Sequence, residues 1–486
     1  MSLTSALSIA QSALLNTGRQ TGVVSRNVQE AANPDYARRE AVTTTSGSGA
    51  RVTEIRRATD AVLFRHNLAA LSAQSGQATV SKGLDTLRLS VNGADNGASA
   101  AAAIGDLIKA LEFYAATPSN PTLASTTVEA ARNAVRALHD GSTAIQTFRS
   151  DADREIAAAV DDLNRLLGDF ETVNREVVAG TRTGRDVSDA LDQRDALLKQ
   201  ISAHVSISTV SRPGNDIMIV TGDGATLFET VPREVSFQPL ATHVPGTPGN
   251  AVTIDGVPLK PGSGGSTSAS GTIAAKLQLR DTVAVTMQRQ LDEVARGLIT
   301  AFAETAPGGG APDRAGLFTW PGGPALPPAG TAIDGLAAAI RVNPAMDPAA
   351  GGDPQLLRDG GANGPAYLAN ATGGASFSDL LRRYADGLDR PIAVDPAAGL
   401  DDSRSVVALS SDAVGWLEAL RQDAATGSER KDALAQRMGT ALSNATGVNV
   451  DEEMALLLEL EHSYEASARL MRVIDEMLAT LLAATG

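Results

Sequence analysis

The segment 450–486 places Leu457, Leu460, Tyr464, Ser467, Met471, Ile474, Leu478 and Leu481 at alternating steps of three and four, almost to the final residue. That spacing lines one side of a helix and marks a seam against another helix. The start of the helix is also specified. Asn449 is a candidate N-cap, Glu452 stands where it completes a capping box, and Asp451 and Glu453 add negative charge where the helix dipole favours it. The other end of the chain repeats the pattern from Leu3, through Leu7, Ala10, Leu14, Thr17, Thr21, Val24 and Val28, although its two threonines and its alanine bury little. Periodicity alone leaves open a helix that closes the chain's own core. A pair built from these two seams, however, is too small to hold itself folded, because isolated helices are marginal and small cores stabilise weakly. Such ends call for many copies.

A chain of 486 residues is expected to form two to four domains. With 41 Lys+Arg against 56 Asp+Glu, its net charge of -15 repels phosphate backbones and anionic lipid, so neither nucleic acid nor membrane is expected as a partner. No run approaches the roughly 18 consecutive apolar residues of a membrane helix, and "MSLTSALSIAQSALLNTGR" lacks the basic start and unbroken apolar stretch of a secretory signal. The absence of cysteine excludes disulfides, thiolate metal sites and thiol nucleophiles, and suits a chain that must stay unfolded in transit.

Between the ends, the pattern changes several times. The cluster "TTTSGSGARVTEIRR" breaks the first helix and leads into a short alternating segment around Val52 and Ile55, with helix resuming near Ala58. Thr126 to Ile201 reads as a helical hairpin. Its first helix opens on a Thr126/Glu129 capping box and ends at Gly141, and its second carries Ile156, Val160, Leu163, Leu167, Phe170, Asn174 and Val177 at seam spacing, with Asn174 as a polar register-fixing residue. "DVSDALDQRDALLKQIS" then resumes as helix. After Ser202 the period falls towards two: "VSISTV", "DIMIV" and "REVSF" read as strands, and Asp255-Gly256 as a two-residue hairpin turn. "KPGSGGSTSASG" is a linker by composition, Ile273 to Glu304 a long helix interrupted only at Gly297, and Pro307 to Gly399 loops with a small second β region. Helix returns from Asp401, with a break near Gly447.

No constellation for catalysis emerges. His66, His139, His204, His243 and His462 are scattered without ligand spacing, and each is expected at the surface or on a helix. Asp192 and Asp195 flank Arg194 at helical spacing, which suggests an exposed ion-pair face rather than a carboxylate dyad. No nucleophile elbow or phosphate-binding glycine motif is present, so no enzyme, cofactor or metal is expected.

"NVQEAANPDYARR" resembles the N-I-A-N-x-N-T-P-G-Y-x-R signature of bacterial flagellar axial proteins at Asn27, Val28, Pro34, Tyr36 and Arg38, and departs from it at Glu30, Ala32, Asn33 and Asp35. "GVNVDEEMALLLELEHSYEASARLMRVIDEMLATLL" resembles the C-terminal G-V-N-L-D-E-E motif of the hook-associated, hook-filament junction family. "DALDQRDALLKQIS" and "KLQLRDTVAVTMQRQLDEVARGLITAF" resemble internal segments of the same family, whereas 307–399 carries little of the resemblance.

The resemblance implies a structural adaptor outside the cell, at the junction of hook and filament, exported unfolded through the flagellar type III channel and assembled as a ring. The implied partners are further copies of the chain, the hook protein, a second junction protein and an export chaperone on the C-terminal helix. The expected architecture is mainly α with an inserted β-rich domain. A terminal coiled coil (1–35 and 450–486), disordered in the monomer, forms the inner layer, surrounded by a helical middle layer (36–203, 272–306 and 400–449) and a β-rich outer domain (204–271 and 307–399). The expected assembly surface comprises Leu7, Leu14, Val24, Asn27, Val28, Tyr36, Leu457, Leu460, Tyr464, Met471, Ile474, Leu478 and Leu481. The alternatives are another axial protein, such as a hook or second junction protein, or a secreted glycan-acting enzyme or adhesin carried by the central region.

Overall fold

Helix α1 (Leu3–Glu30) turns Ala10, Thr17, Val24 and Asn27 fully inward, with Leu7, Leu14, Thr21 and Val28 half-buried beside them, in a computed structural model that describes residues 3–46, 49–259 and 270–485. The Thr-rich stretch expected only to break this helix is itself a strand. Thr43 to Thr45 lie in β1 (Arg39–Ser46), which pairs antiparallel with β2 (Gly49–Arg57), because β-branched threonines suit a pleated surface. The hairpin leans on α1, where the Ser12 hydroxyl donates to the Ala50 carbonyl at 2.8 Å.

Four helices follow: α2 (Ala61–Asn92), capped by the Asp60 carboxylate, then α3 (Ala100–Ala116), α4 (Pro121–Arg182) and α5 (Ser188–His204). The expected helical hairpin is instead one helix. Asn120 caps α4 with Pro121 in its first turn, Thr126 lies inside it, and the chain passes straight through Gly141. Glycine is there for packing rather than to stop the helix, since a Cβ would sit 3.0 Å from Leu291 Cδ1. At about 1.5 Å per residue α4 is roughly 90 Å long. Its second half buries Ile156, Val160, Leu163, Leu167, Phe170, Asn174 and Val177 as the spacing predicts.

Strands β3 (Ile207–Arg212), β4 (Asp216–Thr221) and β5 (Thr226–Phe228) form one antiparallel sheet, and β6 (Val235–Ser236), β7 (Thr253–Ile254) and β8 (Val257–Pro258) another. Asp255 (φ 48°) and Gly256 (φ 78°) make the two-residue turn expected between β7 and β8. Most of the glycine-serine linker, residues 260–269, falls outside the described residues. Helices α6 (Thr272–Gln278) and α7 (Ala284–Ala301) are joined by a π turn at Leu279–Val283. The interruption therefore lies there and not at Gly297, which stays helical against Val406.

Short elements follow: β9 (Phe318–Thr319), α8 (Leu336–Ala339), β10 (Arg341–Val342), α9 (Leu356–Asp359), α10 (Asp379–Asp389), β11 (Ile392–Ala393) and β12 (Ser403–Arg404). Helix α11 (Val406–Thr446) then leads to α12 (Val450–Thr485). Asn449 caps α12 by accepting from the Asp451 amide at 3.1 Å. The chain is mainly α, with small inserted sheets.

Two cores share α4 as their spine. One gathers Ala124 to Ile145 of α4 with α3, α7 and Leu317, Phe318, Leu381 and Tyr384; the other gathers Ile156 to Val177 with α5 and Ile219, Phe228 and Ile254. The two β-containing stretches expected to share one outer domain thus pack into different cores, 307–399 against the helical body and 207–259 against the far half of α4. Their short strands carry too little apolar surface to form a core of their own.

Helix α12 packs along α1 with its start near the end of α1, so the two run antiparallel. Leu460 and Ile474 are buried there, Leu457, Met471 and Leu478 are half-buried, and Tyr464 and Leu481 lie on the exposed margin.

Candidate functional site: a polar clasp at the root of the terminal helices

The last turn of α1, the first turn of α12, the two ends of the β1–β2 hairpin and one side of α5 converge on a cluster of charged and amide groups. Asn27 is its centre and is completely buried. Its Nδ2 donates to the Arg39 carbonyl (2.8 Å) and to Glu453 Oε2 (3.0 Å), while its Oδ1 accepts from the Arg39 amide (3.1 Å) and the Tyr36 hydroxyl (2.8 Å). One side chain therefore pairs with both backbone groups of the first strand residue and satisfies them as a neighbouring strand would.

Glu453, 1% exposed in the first turn of α12, accepts a second bond from Arg38 Nε at 2.6 Å, and its carboxylate holds the Arg38 guanidinium above its usual pKa. The Arg38 amide in turn donates to the Thr446 carbonyl at the end of α11 (2.8 Å). Helix α12 is thus tied at its N-terminus, where a carboxylate is favoured by the helix dipole.

The acidic side of α5 completes the clasp. Asp189, Asp192 and Asp195 are three apart on one side of the helix. Arg39 Nη2 reaches Asp189 (2.5 Å) and Asp192 (3.0 Å), with its guanidinium 4.7 Å over the Tyr36 ring. Arg57 at the end of β2 bonds Asp192 through Nε (2.6 Å) and Asp195 through Nη2 (2.7 Å). Burial opposes the charge of both arginines, but the facing carboxylates outweigh it and keep their pKa values raised. Lys199, one turn further on, holds Asp35 at 2.7 Å. Asp192 and Arg194 are buried, so the exposed self-paired face expected for α5 is corrected: its acids serve the hairpin, and Arg194 turns elsewhere. Removing one member of such a network strands the others, a loss of roughly 3–5 kcal/mol for a buried pair.

The sequence points to Asn27 and Tyr36 through their signature, as parts of the assembly surface, and the structure places both side chains inside the clasp. Arg38, Arg39, Arg57, Asp189, Asp192, Asp195 and Glu453 were missed as a group. The Asp-x-x-Asp-x-x-Asp spacing was the signal available for part of it. Leu7, Leu14, Val24, Val28, Leu457, Leu460, Met471, Ile474 and Leu478 line the seam above the clasp.

The histidines give no site. His66 and His462 are exposed on α2 and α12, His139 meets the Ile340 carbonyl (2.8 Å), and His204 pairs with Asp162 (2.9 Å). His243 departs from expectation, being buried in a loop with Nε2 3.2 Å from Asp153, where burial pushes its pKa down. Among the described residues no group of three or more His, Cys, Asp or Glu could hold a metal ion, and no helix is long and apolar enough to cross a membrane.

The long-helix body brings its two chain ends back to one root, where Asn27, Tyr36 and Arg38 lock them together. Residues 89–311, from the end of α2 through α7, match the family model for the flagellar hook-associated protein FlgK helical domain, and 441–484 match the model for the flagellar basal body rod FlgEFG protein C-terminal region. Both matched models describe flagellar proteins, and together they support a hook-associated, structural role on the flagellar axis. A solved structure of the flagellar hook junction protein FlgK from Burkholderia pseudomallei is similar at 16% identity and a TM-score of 0.43, over 53% of this chain. The match spans 46% of that protein, less than half its length. No curated protein matches the sequence.

Proposed function

We propose that the chain is the adaptor joining the flagellar hook to the filament, exported through the flagellar type III system and assembled as a ring at that junction. The observation that carries this reading is the apolar surface that α1 leaves bare on α12. Leu458, Leu470, Val473 and Met477 are each about half exposed, at 47–53%, beside the seam that α1 covers. A stripe of this kind asks for a partner. Further copies of the chain supply it in the ring, with the hook protein and a second junction protein above and below, and an export chaperone covers the C-terminal helix beforehand. The helices at 1–35 and 450–486 form the inner layer, the helical body the middle, and 207–259 the outer face.

In the free monomer the terminal pair is held at the clasp and loosens towards its tips, so folding of the tips and assembly are one event. The test is deletion of the gene and electron microscopy of the cells. Hooks without filaments, with flagellin lost to the medium, are the expected result. Full-length filaments on the deleted strain would refute the junction role.

A further inference from the structure

Beside the clasp, a cleft of about 910 Å³ opens between the end of α1, the start of α2, α5, β3–β4 and the end of α11. Every acidic group on its wall is already engaged. Asp195 is held by Arg57, Asp35 by Lys199, Asp60 by the first amides of α2, and Glu30 by Asn33. Its basic groups are not all matched. Among the described residues, neither Arg65 nor Arg194 has a carboxylate at ion-pair distance.

Arg194 is the unusual one, being only 6% exposed. Its Nη1 donates to Asn174 Oδ1 (3.1 Å) and the Asn215 carbonyl (2.5 Å), both uncharged, and its buried Nε has no acceptor. The nearby Asp216 is bonded by Asn174 (2.7 Å) and Arg212 (2.8 Å). Burial lowers the Arg194 pKa to about 10, and the carboxylates of Asp195 and Asp216, each bonded to other groups, do not offset it. Phe64, Leu198 and Ile217 supply apolar wall around it.

We propose that this cleft receives a carboxylate-bearing segment of a second copy of the chain, with Arg194 gripping the carboxylate at the base and Arg65 meeting it at the rim. The proposal rests on the axial reading above. Charge selects the occupant: with 56 acidic residues and a net charge of -15, each copy is rich in the group that Arg194 lacks, and a guanidinium fork takes a carboxylate in two parallel bonds.

The test uses the full chain in living cells. A benzophenone side chain is placed at Ser211, an exposed position on the cleft wall, and purified hook-filament structures are irradiated. The expected product is an adduct between two copies of the chain. Arg194→Met should lower its yield at least about tenfold, and Arg194→Lys by less, since one interfacial charge pair controls that much affinity. The melting temperature of the Arg194→Met monomer should not fall, because the burial of a charge with no carboxylate at ion-pair distance offsets its two hydrogen bonds to uncharged acceptors. A lower melting temperature would make Arg194 a structural group and overturn the proposal. So would an unchanged adduct yield, an adduct with a different protein, or no adduct in structures that contain the chain. If the chain were absent from those structures, the axial reading itself would fail.

Discussion

Replacing Glu453 by alanine should loosen α12 from its root before anything else in the molecule moves. The carboxylate makes two bonds, at 2.6 Å to Arg38 and at 3.0 Å to the fully buried Asn27. A hydrogen bond to a charged group is worth about 1.5–3 kcal/mol when buried. The Asn27 bond takes the middle of that range, near 2 kcal/mol. Arg38 is 36% exposed and can recover water, so its bond is discounted to about 1 kcal/mol. The sum is about 3 kcal/mol, which is roughly two powers of ten in an opening equilibrium. Amides near the start of α12 and the start of β1 should therefore exchange roughly a hundredfold faster in the variant, while those of α3 and α7 keep their wild-type rates. Glu453→Gln keeps the shape and one acceptor and should cost about half as much. Native-state hydrogen exchange followed by mass spectrometry measures both. Protection at 450–460 unchanged by Glu453→Ala would refute the clasp as the anchor of α12, and an equal loss along all of α12 would show that the helix is not held from its root.

Charging the seam with Leu457→Asp and Met471→Asp together should loosen α12 from α1 in the monomer, leave the melting temperature of the helical body nearly unchanged, and abolish assembly, since a carboxylate buried in every subunit costs several kcal/mol. Normal motility of the double variant together with a lower melting temperature would place these residues in an internal core. Burial also raises the Asp292 carboxyl from 3.8 to about 6, against three hydrogen bonds from Ala337, Gly335 and Gln288. Its folded value lies above its unfolded one, so stability is greatest where both states are protonated and falls as pH rises from about 4 to about 6, by roughly 3 kcal/mol in all. Urea unfolding of wild type and Asp292→Asn at about pH 4 and about pH 7 should show the stability difference shrinking by that order in favour of the variant, and a pH-independent difference would refute it.

The terminal seams and the second half of α4 were legible because their information is local: an apolar residue every three or four positions says helix wherever it occurs. What could not be read was set by partners distant in sequence. Gly141 looks like a stop signal, and only the approach of Leu291 from α7 shows why a glycine sits in mid-helix. Arg194 between Asp192 and Asp195 looks self-neutralised, yet those acids pair with Arg39 and Arg57, more than a hundred residues away, and none of them reaches Arg194 at ion-pair distance. Charged residues close in sequence are easily assigned to one another. Here the acids pair across segments that periodicity does not relate.

The same distance between segments gives the clasp its mechanical meaning. Asn27 and Glu453 meet where α1 ends and α12 begins, so α12 is tied at its start, while α1 is tied at its end and braced towards its start by the β1–β2 hairpin. Along α12, full burial falls on Glu453, Leu460 and Ile474, and α1 opposes them with little more than Ala10, Thr17 and Val24. A single partner covers one line of α12. Leu470 and Met477 each stand one position before the covered Met471 and Leu478, on the adjoining side of the helix, and remain about half exposed. Two apolar lines side by side require two neighbours. Among the described residues the N-terminal helix covers one of these lines, and the other stays bare.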